Sequence, residues 1–134
     1  MIKTGDKYRQ ELNFKQEDVD TFARITGDNN PIHIDAAFAA KTIFKRPIVH
    51  GFLSGAVFSK VFGTLFPGAG TIYMYQEMKF TGPVFVDEPY VALFEVTEVN
   101  IEKHTGVVKC VLQNAQGKDC IVGTAKLKND IQFV

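Results

Sequence analysis

The sequence has no tryptophan and only two cysteines among its 134 residues. It has no excess of charge of either sign, because 15 Lys+Arg stand against 15 Asp+Glu. A neutral chain lacks the electrostatic footprint of a nucleic-acid binder. No polybasic run is present to dock on anionic lipid. The longest mostly apolar stretch, Phe52 to Phe66, is broken by Ser54, Ser59, Lys60 and Thr64. A membrane-spanning helix needs about 20 apolar residues, so this stretch is too short. The first residues, MIKTGDKYRQELNFKQED, are too polar for a secretory signal. The expectation is a soluble, cytoplasmic protein with no nucleic-acid or membrane partner.

Further absences narrow the chemistry. Cys110 and Cys120 have no second Cys or His within four residues, so neither has metal-ligand spacing. With Gln113 opposite Cys120 across a turn at Ala115–Lys118, Cys110 lies opposite Gly123, too far from Cys120 for a disulfide. Free thiols in a reducing compartment are expected. There is no Gly-x-Ser-x-Gly elbow, no phosphate loop and no dinucleotide fingerprint. His33 and His50 are too far apart for a zinc signature. A reaction without cofactor or metal is the economical expectation.

What is present is an ordinary globular composition, 46% apolar and 22% charged, with 12 phenylalanines. Its length suits one domain, residues 1–134. Asp6 to Phe14 reads as a strand. Gln16-Glu17-Asp18 opens a helix with acidic residues in its first turn, and Gly27 ends it. The cluster Asp28-Asn29-Asn30-Pro31-Ile32-His33 forbids regular helix. A short helix over Asp35 to Ala40 and a loop over Lys41 to Val49 follow. Phe52 to Phe66 reads as a helix apolar nearly all round, hence buried. Thr71 to Phe80, Tyr90 to Val99, Gly106 to Asn114 and Asp119 to Leu127 read as strands, the last two as a hairpin. This order specifies an α+β fold: an antiparallel sheet wrapped around one buried helix, the hot-dog arrangement. Its open sheet edge calls for a partner strand, and a homodimer with one continuous sheet supplies it.

The three histidines differ in setting. His104 sits in a polar hairpin tip, Glu102-Lys103-His104-Thr105-Gly106, and is expected in solvent. His33 lies five residues after Asp28 in the irregular segment. The Asn-Pro bend can bring both side chains to one pocket, and a carboxylate beside an imidazole suits acid–base work near neutral pH. The bland alternative is that Asp28 caps a turn and His33 is a satisfied polar residue. Gly51 falls at the start of the apolar helix, where unsatisfied amides and the helix dipole can meet a developing oxyanion. His50 is assigned no catalytic role.

The blocks Thr26-Gly27-Asp28-Asn29-Asn30-Pro31-Ile32-His33 and Phe44-Lys45-Arg46-Pro47-Ile48-Val49-His50-Gly51 resemble the two signature blocks of the MaoC-like (R)-specific enoyl-CoA hydratases. The resemblance covers nearly the whole chain. It implies a homodimeric hot-dog fold; the sequence leaves open a dimer of dimers. It also implies syn hydration of trans-2-enoyl-CoA to (3R)-hydroxyacyl-CoA. By position in the motif, Asp28 and His33 are the implied catalytic pair and Asn30 the residue positioning substrate or water. The Gly51 N–H is the implied oxyanion donor and Ser59 a further substrate-positioning residue. Phe52, Phe58 and Phe62 are candidates to line an acyl tunnel; Lys41, Lys45 and Arg46 are candidates to meet the CoA phosphates. Competing readings are a (3R)-hydroxyacyl dehydratase acting on acyl-carrier-protein thioesters, a non-catalytic acyl-CoA-binding module, and a thioesterase.

Overall fold

Alternating apolar and polar residues build the sheet. In the computed structural model, which describes residues 1–134, β3 (Tyr90–Asn100) turns Tyr90, Ala92, Phe94 and Val96 inward. Its neighbour β4 (Thr105–Asn114) turns in Val108, Cys110 and Leu112, and β5 (Asp119–Lys128) turns in Ile121, Ala125 and Leu127. The pairings Ala92–Leu112, Phe94–Cys110 and Val96–Val108 set these rows opposite one another. With β1 (Lys7–Leu12) and β2 (Ile72–Phe80), the five strands form one antiparallel sheet in the order β1-β3-β4-β5-β2. A hairpin joins β4 to β5, as expected, with Cys110 opposite Gly123 and both thiols free. The register is one residue off the expectation near the turn: Gln113 faces Asp119, because the ladder shifts between Leu112 and Gln113.

Four helices lie between β1 and β2: α1 (Gln16–Thr26), α2 (Pro31–Ile34), α3 (Ala36–Ala40) and α4 (Gly51–Thr64). α4 packs into the curve of the sheet, burying Phe58, Val61 and Phe62. The Phe58 and Phe62 rings each meet Phe94 edge-on, at 5.7 and 5.4 Å between centroids. Each such fully buried side chain contributes roughly 1.5–3 kcal/mol. The helix is not buried all round, however. Phe52 is 74% exposed, and Ala56, Ser59 and Gly63 continue the same exposed stripe. Beside it stand the exposed Ile72, Met74 and Tyr75 of β2.

Two more expectations are corrected. The Asp/Asn/Pro cluster does hold a helical turn, Pro31–Ile34. Pro31 takes the first helical position, where its missing N–H is no loss, and the Asn30 side chain caps the turn. His104 is half-buried rather than free in solvent. Its Nδ1 lies 2.9 Å from the Phe133 carbonyl, because the C-terminal turn folds back over it. No helix is long and apolar enough to cross a membrane.

Candidate active site

The first wall of the site is the segment after α1. Gly27 ends that helix in the left-handed conformation, φ 77°, with its N–H on the Ala23 carbonyl. The chain turns off the helix axis there, and Thr26 Oγ1 accepts the Asp28 N–H at 3.2 Å. Asn30 Oδ1 accepts the Ile32 N–H at 3.2 Å and so starts α2. That turn delivers His33 inward, leaving it 9% exposed. Its Nδ1 is 2.7 Å from the Ile48 carbonyl. A carbonyl only accepts, so this bond assigns a hydrogen to Nδ1, and in the neutral imidazole Nε2 carries the lone pair.

The second wall is the start of α4. The Ser54 N–H donates to the His50 carbonyl at 3.0 Å, the first bond of the helix. Helix geometry therefore leaves the N–H groups of Gly51, Phe52 and Leu53 without intrahelical partners, at the positive end of the helix dipole. A Cβ on Gly51 would stand 2.8 Å from the Phe80 ring, so glycine is what this approach admits. The segment before β3 closes the third side. The Val49 N–H donates to the Val84 carbonyl at 2.8 Å, and the Phe85 N–H to the Tyr90 hydroxyl at 2.7 Å. Burial pushes the Tyr90 hydroxyl up to about 12, so it remains a neutral acceptor at physiological pH.

These walls enclose a pocket of about 610 Å³ whose lining includes Asp28, His33, His50, Gly51, Phe52 and Phe80. A carboxylate, an imidazole lone pair and free helix amides thus share one partly apolar space. Asp28, His33 and His50 each bring a donor atom within 4.8 Å of the others, a set chemically suited to a divalent cation. The positive end of α4 works against a cation there.

Of the residues singled out in the sequence, Asp28, His33 and Gly51 come together. Asn30 is exposed outside the pocket lining and acts on α2 through its cap. Ser59 lies apart, in a separate cavity of about 410 Å³ between α4 and β2. Phe58 and Phe62 belong to the core rather than to the pocket wall, whereas Phe52 does line the pocket. Lys41, Lys45 and Arg46 are exposed, and Arg46 is ion-paired to Glu88 with its guanidinium 3.8 Å over the Phe85 ring. Neither cysteine enters the site. Cys110 is in the core, where burial pushes its thiol up to about 11.

His50, given no catalytic role from the sequence, also lines the pocket and bonds backbone. It is 1% exposed, its Nε2 lies 2.9 Å from the Asp28 carbonyl, and its ring packs on His33 at 3.9 Å between centroids. The one available signal was its place directly before Gly51.

Comparison with known proteins gives the family and the fold. The chain is 38% identical to the (R)-specific enoyl-CoA hydratase of Aeromonas caviae over 127 residues, 95% of either chain. The solved structure of an A. caviae (R)-hydratase involved in PHA biosynthesis superposes with a TM-score of 0.92 at 38% identity, covering 96% of this chain and 97% of that one. An R-hydratase of Pseudomonas aeruginosa gives 0.90 at 37% identity, covering 96% and 82%. The MaoC-like domain matches residues 1–116, a span that includes both blocks of the site, and the chain belongs to that family.

Proposed function

We propose that the protein is an (R)-specific enoyl-CoA hydratase: it adds water to trans-2-enoyl-CoA on one face to give (3R)-hydroxyacyl-CoA, and catalyses the reverse dehydration. The observation that carries this reading is the convergence of Asp28, His33 and the Gly51 amide on one pocket. The relatives named (R)-specific enoyl-CoA hydratase support the substrate class.

The chemistry follows from the groups. An ionised carboxylate only accepts hydrogen bonds, and His33 presents a lone pair on Nε2. A water held between them gives one hydrogen to each and keeps an oxygen lone pair for C3 of the enoyl thioester. As that oxygen attacks, negative charge moves to the thioester oxygen. The Gly51 N–H at the α4 terminus meets this charge without reorganising. The member of the pair that takes the water's proton passes it to C2 from the same side, so the elements of one water add across the double bond and the pair returns to its starting state. The hydroxyl and the new hydrogen thereby enter on one face. Acid–base assistance of this kind supplies roughly 10²–10⁴-fold in rate.

A homodimer is part of this reading. β2 is an edge strand whose Ile72, Met74 and Tyr75 are exposed beside the exposed Phe52 of α4, a surface suited to a second copy. Light scattering should give twice the chain mass of 14.9 kDa; a monomer at working concentration would refute this element.

The function is tested by the loss of enoyl-thioester absorbance with crotonyl-CoA and a medium-chain enoyl-CoA, in the presence of EDTA, with chiral analysis of the product. Fast loss yielding the (3R) product is expected. Release of free thiol, or an inert folded protein with both CoA substrates but turnover of the matched acyl-carrier-protein thioesters, would overturn the CoA assignment.

A further inference from the structure

His50 belongs by its backbone to the start of α4 and by its side chain to the opposite wall. Its Nε2 is 2.9 Å from the backbone carbonyl of Asp28, a contact across 22 residues of chain. Since the carbonyl accepts, Nε2 carries the hydrogen and Nδ1 is left as a lone pair. That Nδ1 is buried and has no hydrogen-bond partner. The ring also packs against two others: Phe22 of α1 lies 4.8 Å from it, tilted by 53°, and His33 lies 3.9 Å from it with the planes 30° apart.

An orphaned buried nitrogen calls for an explanation. A residue that only filled this space would be better as an apolar ring, which leaves no orphan. What an apolar ring cannot do is hold the Asp28 main chain. Asp28 needs that support, because its exposed side chain makes no hydrogen bond of its own and its amide bond to Thr26 Oγ1 is long at 3.2 Å. His33 has its Nδ1 bond to Ile48 in the ring plane, and the His50 face fixes the remaining rotation about it.

We propose that His50 is a positioning residue that locks Asp28 through its Nε2–H and His33 through its ring face, tying both to the start of the helix whose Gly51 amide meets the thioester oxygen. The inference rests on the reading of Asp28 and His33 as the reacting pair. It assigns no proton transfer to His50 itself.

Two variants of the full chain separate the two contacts. His50→Phe keeps the ring and removes the donor; His50→Gln keeps an N–H near the place of Nε2 and removes the ring. With crotonyl-CoA, His50→Phe should lower kcat by about 100-fold, the scale of a small misplacement of reacting groups. Its KM should stay within about threefold, because the loss falls on the transition state rather than on binding. His50→Gln should recover about tenfold of that kcat loss by restoring the hold on Asp28. Wild-type kcat in His50→Phe, a loss confined to KM, or no recovery in His50→Gln would overturn the proposal. A double-mutant cycle decides it even where the Phe variant fails to fold. Adding His50→Gln to His33→Gln should cost less than His50→Gln costs alone; full multiplication of the two losses would mean that the His50 ring does not act through His33. Wild-type turnover in both Asp28→Asn and His33→Gln would instead bring down the reading of the pair, and this proposal with it.

Discussion

The two walls of the pocket are held in different ways. The wall after α1 is secured one polar bond at a time: Thr26 to the Asp28 amide, Asn30 to the Ile32 amide, Ile48 to the His33 ring and Gln16 to the His33 carbonyl. The wall at α4 is secured by the core, through Phe58, Val61 and Phe62 behind the same helix whose first amides face the pocket. Bonds to backbone place a side chain with directional accuracy and add little to global stability, since each contributes only about 1 kcal/mol net. Core packing adds stability but places a helix only as well as its neighbours fill space. The proposed acid–base pair, which needs direction, sits on the first wall; the amide proposed to meet the thioester oxygen, which needs rigidity, sits on the second.

Substitutions on the two walls should therefore separate activity from stability. The largest loss of turnover is expected for Asp28→Asn and His33→Gln, roughly 10²–10⁴-fold in kcat in the absorbance assay. Their thermal midpoints should stay close to that of the parent, because neither side chain belongs to the core. The opposite pattern is expected behind the second wall. Phe58→Ala removes a fully buried ring and should cost about 3–5 kcal/mol in urea unfolding, while turnover per folded molecule falls far less. An Asp28→Asn variant that unfolds, or a Phe58→Ala variant that is stable but inactive, would erase the distinction.

Two smaller effects sharpen it. Gly51→Ala keeps the backbone donor but presses a methyl on the Phe80 ring, 2.8 Å from the place of the new carbon. It should lower kcat/KM by about tenfold, less than outright loss of an oxyanion donor. An unchanged kcat/KM would show that the contact relaxes by rotation of Phe80 alone. Asn30→Ala removes the cap of the turn that carries His33 and should cost about 1 kcal/mol of stability. Asn30→Asp, which keeps a capping oxygen, should restore it; failure of that rescue in chemical denaturation would show that the cap is not what Asn30 supplies.

Much of this molecule was legible in its residues. The alternation in β3, the hairpin between β4 and β5 and the Gly27 stop are local patterns, and each is carried by residues adjacent in the chain. Asp28, His33 and Gly51 were legible because their two blocks carry a specific motif. The helical turn at Pro31 was missed because proline breaks a helix from within but suits its first position, and the sequence does not say which position it occupies. The exposed stripe of α4 was missed for a similar reason. Apolar periodicity cannot distinguish a residue that faces its own core from one that faces outward beside an exposed edge strand, as Phe52 does.

The sequence by itself determined the order of elements, the residue types of the proposed reacting pair and the glycine at the helix start, because these depend on local geometry and side-chain chemistry. Only the tertiary structure decided that His50 reaches Asp28 and stacks on His33, that Ser59 lies in a different cavity, and that Phe58 and Phe62 form core rather than pocket wall. Such facts depend on how far apart chain segments approach in space, and that is set by the packing of a whole helix against a whole sheet, which no short stretch of residues encodes.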